Sequence, residues 1–161
     1  MFRLPSLTRL TTYANRGQDI NVGGFTIHKI DAVLDVPPQL STVAVETGLS
    51  AAAGALIATD IISTLDVVPQ LTIFVPNNAA FQLAGSAFVN ASVETLTSVL
   101  QYHAVVGSVV FSQDIVNGTA LPLSGQPIQL NVVDGTVFIN QAKVVIPNVI
   151  LANGVAHVID T

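Results

Sequence analysis

The sequence predicts an α+β fold, with helices mostly in the N-terminal half of its main domain and strands in the C-terminal half. Apolar residues recur at helical spacing between residues 39 and 103, and they alternate with polar residues in the segments after Gly107. Because the helical and strand patterns are segregated, alternating β-α-β units are not expected. Half of the 161 residues are hydrophobic and 9% are charged, so the chain can bury one substantial core.

The first 35 residues predict extended and turn segments, with a strand from Phe25 to Leu34. Val36-Pro37-Pro38 then interrupts the chain, because consecutive prolines disfavour both helix and strand interiors. We therefore predict a separate segment over residues 1–36 and a domain over residues 37–161. An apolar strand left alone in the first segment could associate with the same strand of a second copy.

Two helices are predicted at the start of the domain. The first covers Leu40 to Thr47 and ends at Gly48, a residue type that commonly terminates helices. Ser50 is the predicted N-cap of the second helix. The apolar stripe of that helix is predicted to consist of Ile57, Ile61 and Leu65.

A buried strand from Leu71 to Val75 is predicted next, followed by a turn at Pro76-Asn77-Asn78 and a helical segment. Ser92 is the predicted N-cap of a further helix, with Glu94 placed favourably in its first turn. The apolar face of this helix consists of Leu96, Val99, Leu100 and His103.

Short strands are predicted for the rest of the chain. Asp134-Gly135 is a strong signal for a type I′ hairpin. The strands are predicted at 128–132, 136–140, 143–146, 148–151 and 155–160.

Catalytic and metal-binding motifs are absent from the sequence, so we do not predict an enzyme. The spacings of hydrolase, zinc-protease, dinucleotide-binding, P-loop and EF-hand motifs are missing. The three histidines, His28, His103 and His157, are too far apart for a local metal motif. His103 and His157 both fall on apolar faces, which favours buried, hydrogen-bonded imidazoles. An enzyme using either histidine with a distant carboxylate is a third hypothesis.

The charge distribution argues against nucleic acid as a partner. Residues 36–161 contain one lysine and seven acidic residues, whereas a phosphate-binding surface needs clustered basic residues. No apolar run reaches the roughly 18 residues that span a bilayer. Asn90 and Asn117 begin N-x-S/T sequons, which makes both candidate glycosylation sites.

Three segments resemble the signatures of the fasciclin domain family, in the family's order. They are Thr72 to Phe81, Leu100 to Gly107 with its Tyr-His pair, and Val137 to Asp160. The resemblance implies a compact wedge of two packed β-sheets with several helices against it. It also implies an extracellular module, secreted or anchored at the cell surface, that mediates cell adhesion or interaction with matrix or cell wall without catalysis or a cofactor.

A partial copy of the last signature occurs near the N-terminus. When His28 is aligned with His157, Ile30 falls on Ile159 and Asp31 on Asp160. Given the resemblance, we predict that residues 1–36 are the C-terminal end of a preceding fasciclin domain and its linker.

The resemblance also implies candidate binding residues. Tyr102 and His103 fall on the family's Tyr-His pair, which in some animal members is proposed to contact integrins, and the flanking aliphatics are Leu100, Val105 and Val106. A second proposed integrin motif needs an acid where this chain has Val149, so that site is not expected here. The predicted partner is a cell-surface or matrix protein. The alternative is that the chain is a carbohydrate-binding cell-wall protein whose partner is a cell-wall glycan.

Overall fold

The structure is a computed structural model that describes residues 20–27, 36–89 and 91–161, without the side chains of residues 86–89. The chain divides into two compact units, Met1–Pro37 and Pro38–Thr161.

The described part of the first unit is a β-hairpin. Strands β1 (Ile20–Val22) and β2 (Phe25–Ile27) pair antiparallel across a two-residue turn. Both turn residues are glycines with positive φ, which suits a tight hairpin. Of the strand predicted over residues 25–34, only 25–27 are described as β-strand, and His28 lies outside the described residues.

The second unit begins with helices, as predicted. Its first helix ends at Glu46, and Gly48 follows with a φ of 73°. The helices are α1 (Leu40–Glu46), α2 (Ser50–Ala58), α3 (Ile62–Leu65), α4 (Asn78–Val89) and α5 (Val93–Tyr102).

Two predictions about α2 are wrong. Ser50 is the first residue of the helix and makes no cap; instead Asn78 Oδ1 accepts a hydrogen bond from the Ala51 N–H at 3.1 Å. Ile57 is 67% exposed, so it does not belong to a buried stripe. The reason is a break at Asp60, whose φ of 54° separates α2 from α3 and removes Ile57 from helical register with Leu65.

Seven strands form a sheet with the order β4-β3-β9-β8-β7-β6-β5. The pair β3 and β9 is parallel, and the other pairs are antiparallel. The strands are β3 (Leu71–Pro76), β4 (Ala104–Val106), β5 (Gly118–Ala120), β6 (Ile128–Val133), β7 (Thr136–Ile139), β8 (Ala142–Leu151) and β9 (Gly154–Ile159).

The hairpin predicted at Asp134-Gly135 is confirmed, since both residues have positive φ and connect β6 to β7. The two strands predicted at 143–146 and 148–151 are one strand, β8. Register shifts occur on both sides of Ile146, and they accommodate Pro147 and the positive φ of Asn148.

The core is formed by apolar residues from strands that are not neighbours in the sheet. Phe74 on β3 and Ile128 on β6 belong to the same buried cluster, although three strands separate β3 from β6. The sheet must therefore fold back on itself around this cluster. Helices, packed sheet and core together confirm the predicted α+β fold.

Candidate functional site

The candidate site lies where α5 passes into β4. Ser92 begins the helix as predicted, since its Oγ accepts a hydrogen bond from the Thr95 N–H at 3.2 Å. His103 is the C-cap residue, and Ala104 starts the strand. Tyr102 and His103 therefore lie at the junction between the end of α5 and β4, an edge strand of the sheet.

The His103 imidazole is held by the backbone of its own helix. Its Nδ1 lies 2.7 Å from the Val99 carbonyl oxygen, so Nδ1 carries a proton and donates. Burial lowers the pKa of His103 below that of a free histidine, which favours a neutral ring. Nε2 is then an acceptor, and it has no hydrogen-bond partner among the described residues.

Tyr102 is fixed in place by a residue far away in sequence. Its hydroxyl accepts a hydrogen bond from Asn140 Nδ2 at 2.8 Å, and Asn140 Oδ1 accepts one from the Gln129 N–H at 2.9 Å. The Tyr102 and His103 rings are nearly perpendicular, with an interplanar angle of 86° and centroids 6.1 Å apart. The end of α5 is thereby tied to the turn that joins β7 to β8.

The three aliphatic residues that flank the pair differ in exposure. Leu100 and Val105 are buried, at 7% and 8% exposure, and Val105 belongs to the sheet core. Val106 is half-buried on the edge strand β4. Tyr102, His103 and Val106 are thus the predicted binding residues that retain accessible surface.

Cavities lined by the described residues adjoin this junction. The first, the helix cavity, has a volume of about 150 Å³ and is lined by α2, α4 and α5, with His103 in its wall. The second, of about 290 Å³, lies between His103, Tyr102 and the β7–β8 turn. The third, the polar cleft, has a volume of about 430 Å³ and is lined by Thr95, Ser98, Val99, Gln101, Tyr102, Ser124 and Gln126.

His157 has a structural environment, as the sequence predicted. It is fully buried on β9, its Nδ1 accepts from the Asn148 N–H at 3.3 Å, and its Nε2 lies 2.9 Å from the Val110 carbonyl oxygen. Both ring nitrogens are therefore satisfied by backbone groups. Neither described histidine hydrogen-bonds a carboxylate.

The remaining candidate residues are placed as follows. Asn117 is exposed, with its Oδ1 accepting from the Val132 N–H at 2.7 Å, while Asn90 lies outside the described residues. Val149, at the position where the second integrin motif would need an acid, is buried in the core. Within the described ranges, no group of three or more potential metal ligands occurs, and no helix is long and apolar enough to cross a membrane.

Sequence reasoning missed Asn140 and, apart from Tyr102, the residues of the polar cleft as candidate site residues. Asn140 comes from a β-turn and Gln126 from a loop, and both reach the site only through the folding of the sheet. The positive φ of Asn140 was the one local property that the sequence could have signalled, because asparagine tolerates that conformation.

Comparison with known proteins gives consistent results. A family model for the fasciclin domain matches residues 47–161. A fasciclin-like arabinogalactan protein of Arthroderma benhamiae is 31% identical over 98% of this chain, which spans 37% of that relative's length. A Synechocystis protein is 28% identical over 98% of this chain and 93% of its own length.

Among solved structures, a FAS1 domain pair from the insect cell adhesion molecule fasciclin I matches with a TM-score of 0.64. The match has 20% sequence identity and covers 88% of this chain and 56% of the insect one. At that identity the likeness shows a shared fold.

Proposed function

The chain belongs to the fasciclin domain family, and on that premise we propose that it is a non-enzymatic extracellular module for cell adhesion or for interaction with matrix or cell wall. The solved fold relative comes from a cell adhesion molecule. The family match covers most of the second unit.

The observation that carries the proposal is the rigid aromatic at the α5–β4 junction. Tyr102 is half-buried and held through its hydroxyl by Asn140, so little side-chain entropy is lost when a partner covers the ring. Tyrosines of this kind are enriched at the centres of protein interfaces. We assign Tyr102, His103 and Val106 to the contact surface, with Leu100 and Val105 supporting it from the core.

The partner in this proposal is a protein of the cell surface or matrix. The test is binding of the purified chain to separated cell-surface, matrix and cell-wall fractions. Saturable binding to a protein fraction that protease treatment abolishes supports the proposal. A well-folded chain that binds none of these fractions contradicts it.

A wall glycan is the second candidate partner, favoured by the polar cleft. Hydroxyl and amide side chains line it on both sides, and the Tyr102 ring offers a flat apolar surface. Sugars are recognised by such combinations of hydrogen-bonding groups and an aromatic face. Selective binding to sugars on a glycan array would favour this candidate over the first. So would binding to the cell-wall fraction that persists after the fraction has been treated with protease.

We also propose that the first unit is the terminal hairpin of a preceding fasciclin domain. Ile20 pairs with Ile27 and Val22 with Phe25 across a two-residue turn. In the second unit, the β8–β9 hairpin has the same arrangement, with Val149 opposite Ala156 and Leu151 opposite Gly154. The two hairpins therefore correspond in register when His28 is aligned with His157.

One difference limits the correspondence. Gly154 closely approaches the backbone of Leu71 on β3, whereas the matching position of the first hairpin holds Phe25. A parallel strand beside β2 would therefore have to lie farther from Phe25. A longer version of the chain containing one more domain upstream should bury Phe25, and fluorine labelling of that ring would detect the change. An unchanged, solvent-exposed ring in the longer protein would contradict the assignment.

For the location, we propose a secreted or surface-anchored protein that is glycosylated at Asn117 and Asn90. Asn117 is exposed beside the edge strand β5, where a glycan can project into solvent. Mass spectrometry of the protein from its native source should show glycan at Asn117. Unmodified Asn117 in all recovered protein would contradict this assignment.

A further inference from the structure

The helix cavity is apolar and has the volume of a small aromatic molecule. Alanines from two helices form one side, Ala55 on α2 with Ala80 and Ala84 on α4. The opposite side is the apolar face of α5, including Leu96 and Leu100. A cavity of about 150 Å³ lined by side chains of this kind accommodates a molecule the size of benzene.

Among the described residues that line the cavity, His103 is the one titratable side chain, and its imidazole offers a ligand a hydrogen-bond acceptor. Nδ1 is occupied by the Val99 carbonyl, which leaves Nε2 as an acceptor. This acceptor is half-buried with its ring and has no partner among the described residues, so a ligand that enters the cavity can donate a hydrogen bond to it. An apolar ring with one hydroxyl group would satisfy both the cavity and the imidazole.

We propose that the helix cavity is a binding site for small phenolic compounds, with the aromatic ring between α2, α4 and α5 and the hydroxyl donating to His103 Nε2. The site shares His103 with the contact surface proposed above, but its other lining residues do not include Tyr102 or Val106. It also differs in ligand class from both partners of the proposed adhesion function. Its presence would give the domain a way to recognise phenolic molecules beside its adhesive face.

The test uses the purified full chain with phenol and benzene as probes. Carbon-13 spectra of the alanine methyl groups report on the cavity, because Ala55, Ala80 and Ala84 line it. Ala79, on helix α4 with Ala80 and Ala84, is exposed and serves as a reference. Both probes should cause saturable shifts of the three lining methyls and leave Ala79 unchanged. The absence of saturable shifts with either probe would overturn the proposal.

Two substitutions test the separate roles of His103 and of the alanine-lined side of the cavity. His103→Phe keeps an aromatic ring but removes the acceptor, so phenol affinity should fall roughly tenfold while benzene affinity changes little. Ala84→Leu should occupy the space and weaken both probes, and Ala79→Leu is its matched control on the exposed face. Equal weakening of phenol and benzene by His103→Phe, or equal effects of the two leucine variants, would contradict the assigned geometry. If Ala84→Leu does not fold, the comparison of phenol with benzene in His103→Phe still decides.

Discussion

Thr72 and His157 lie on the neighbouring strands β3 and β9, and both side chains form hydrogen bonds with the backbone of Val110. The Val110 N–H donates to Thr72 Oγ1 at 3.0 Å, and the Val110 carbonyl accepts from His157 Nε2 at 2.9 Å. Thr72 Oγ1 also donates to the Ser108 carbonyl at 2.7 Å. Because both side chains are buried, the first and last fasciclin signatures meet in the core, where they anchor the segment that follows β4.

Replacing Thr72 by valine should destabilise the domain by about 1 to 3 kcal/mol. The side-chain shape is nearly unchanged, but the buried N–H of Val110 and carbonyl of Ser108 lose their partner. Urea unfolding measures the difference. Thr119→Val is the matched control, since Thr119 is exposed on β5, and it should change the free energy of unfolding by less than about 0.5 kcal/mol. Equal effects of the two substitutions would contradict the role of Thr72.

Acidification should weaken the fold through His157. Burial lowers the pKa of this imidazole. Below about pH 6.5, His157 therefore binds a proton more readily in the unfolded chain than in the folded chain. The free energy of unfolding therefore falls as the pH decreases through and below this value. His157→Gln retains a donor and an acceptor but cannot titrate, so it should be less stable than wild type at neutral pH, by a margin that narrows towards pH 5.

Denaturant titrations of both proteins at several pH values measure that margin. His103 has a pKa lowered by the same cause, but it is present in both proteins and cancels from the comparison. A margin that is constant or widens on acidification would show that His157 does not contribute to the pH dependence.

Gly154→Ala should cost about 3 kcal/mol or more, or prevent folding. A Cβ at this position would overlap the backbone carbonyl of Leu71, its partner in the parallel β3–β9 pair. Gly54→Ala in the middle of α2 is the contrasting variant, because a Cβ there meets open space. It should stabilise the domain by about 0.5 to 1 kcal/mol. Thermal and urea unfolding of both variants check the opposite signs, and a well-folded, equally stable Gly154→Ala would contradict the close approach.

Asn78→Ala should lower the free energy of unfolding by about 1 to 2 kcal/mol. The Asn78 amide accepts from the Ala51 N–H and donates to the Gly48 carbonyl, so it satisfies backbone groups at the junction of α1 and α2. Asn131→Ala on the exposed face of β6 is the control. Both variants are compared with wild type by urea unfolding, and an effect of Asn78→Ala no greater than that of the control would contradict the bridging role.

Local signals predicted those parts of the fold that depend on neighbouring residues. Ser92 as a cap, Gly48 as a helix end and Asp134-Gly135 as a hairpin were identified because each acts within a few residues of itself. The burial of His157 followed from its place in an apolar strand. These features need no knowledge of tertiary structure.

The errors came from contacts between distant segments. The cap of α2 is supplied by Asn78, more than 25 residues downstream, so Ser50 gave a misleading local signal. The positive φ of Asp60 divides what the apolar spacing presents as one helix. At the candidate site, the bond between Tyr102 and Asn140 exists only after the sheet has formed.

Binding of a surface partner through the α5–β4 junction is tested most directly by measuring equilibrium binding of wild type and Tyr102→Ala to the same cell-surface or matrix fraction. Asn131→Ala, on the exposed face of β6, serves as the control, and circular dichroism establishes that all three proteins are folded. We expect saturable binding that Tyr102→Ala weakens at least about tenfold and Asn131→Ala leaves unchanged. Equal binding by the wild type and a folded Tyr102→Ala would contradict it.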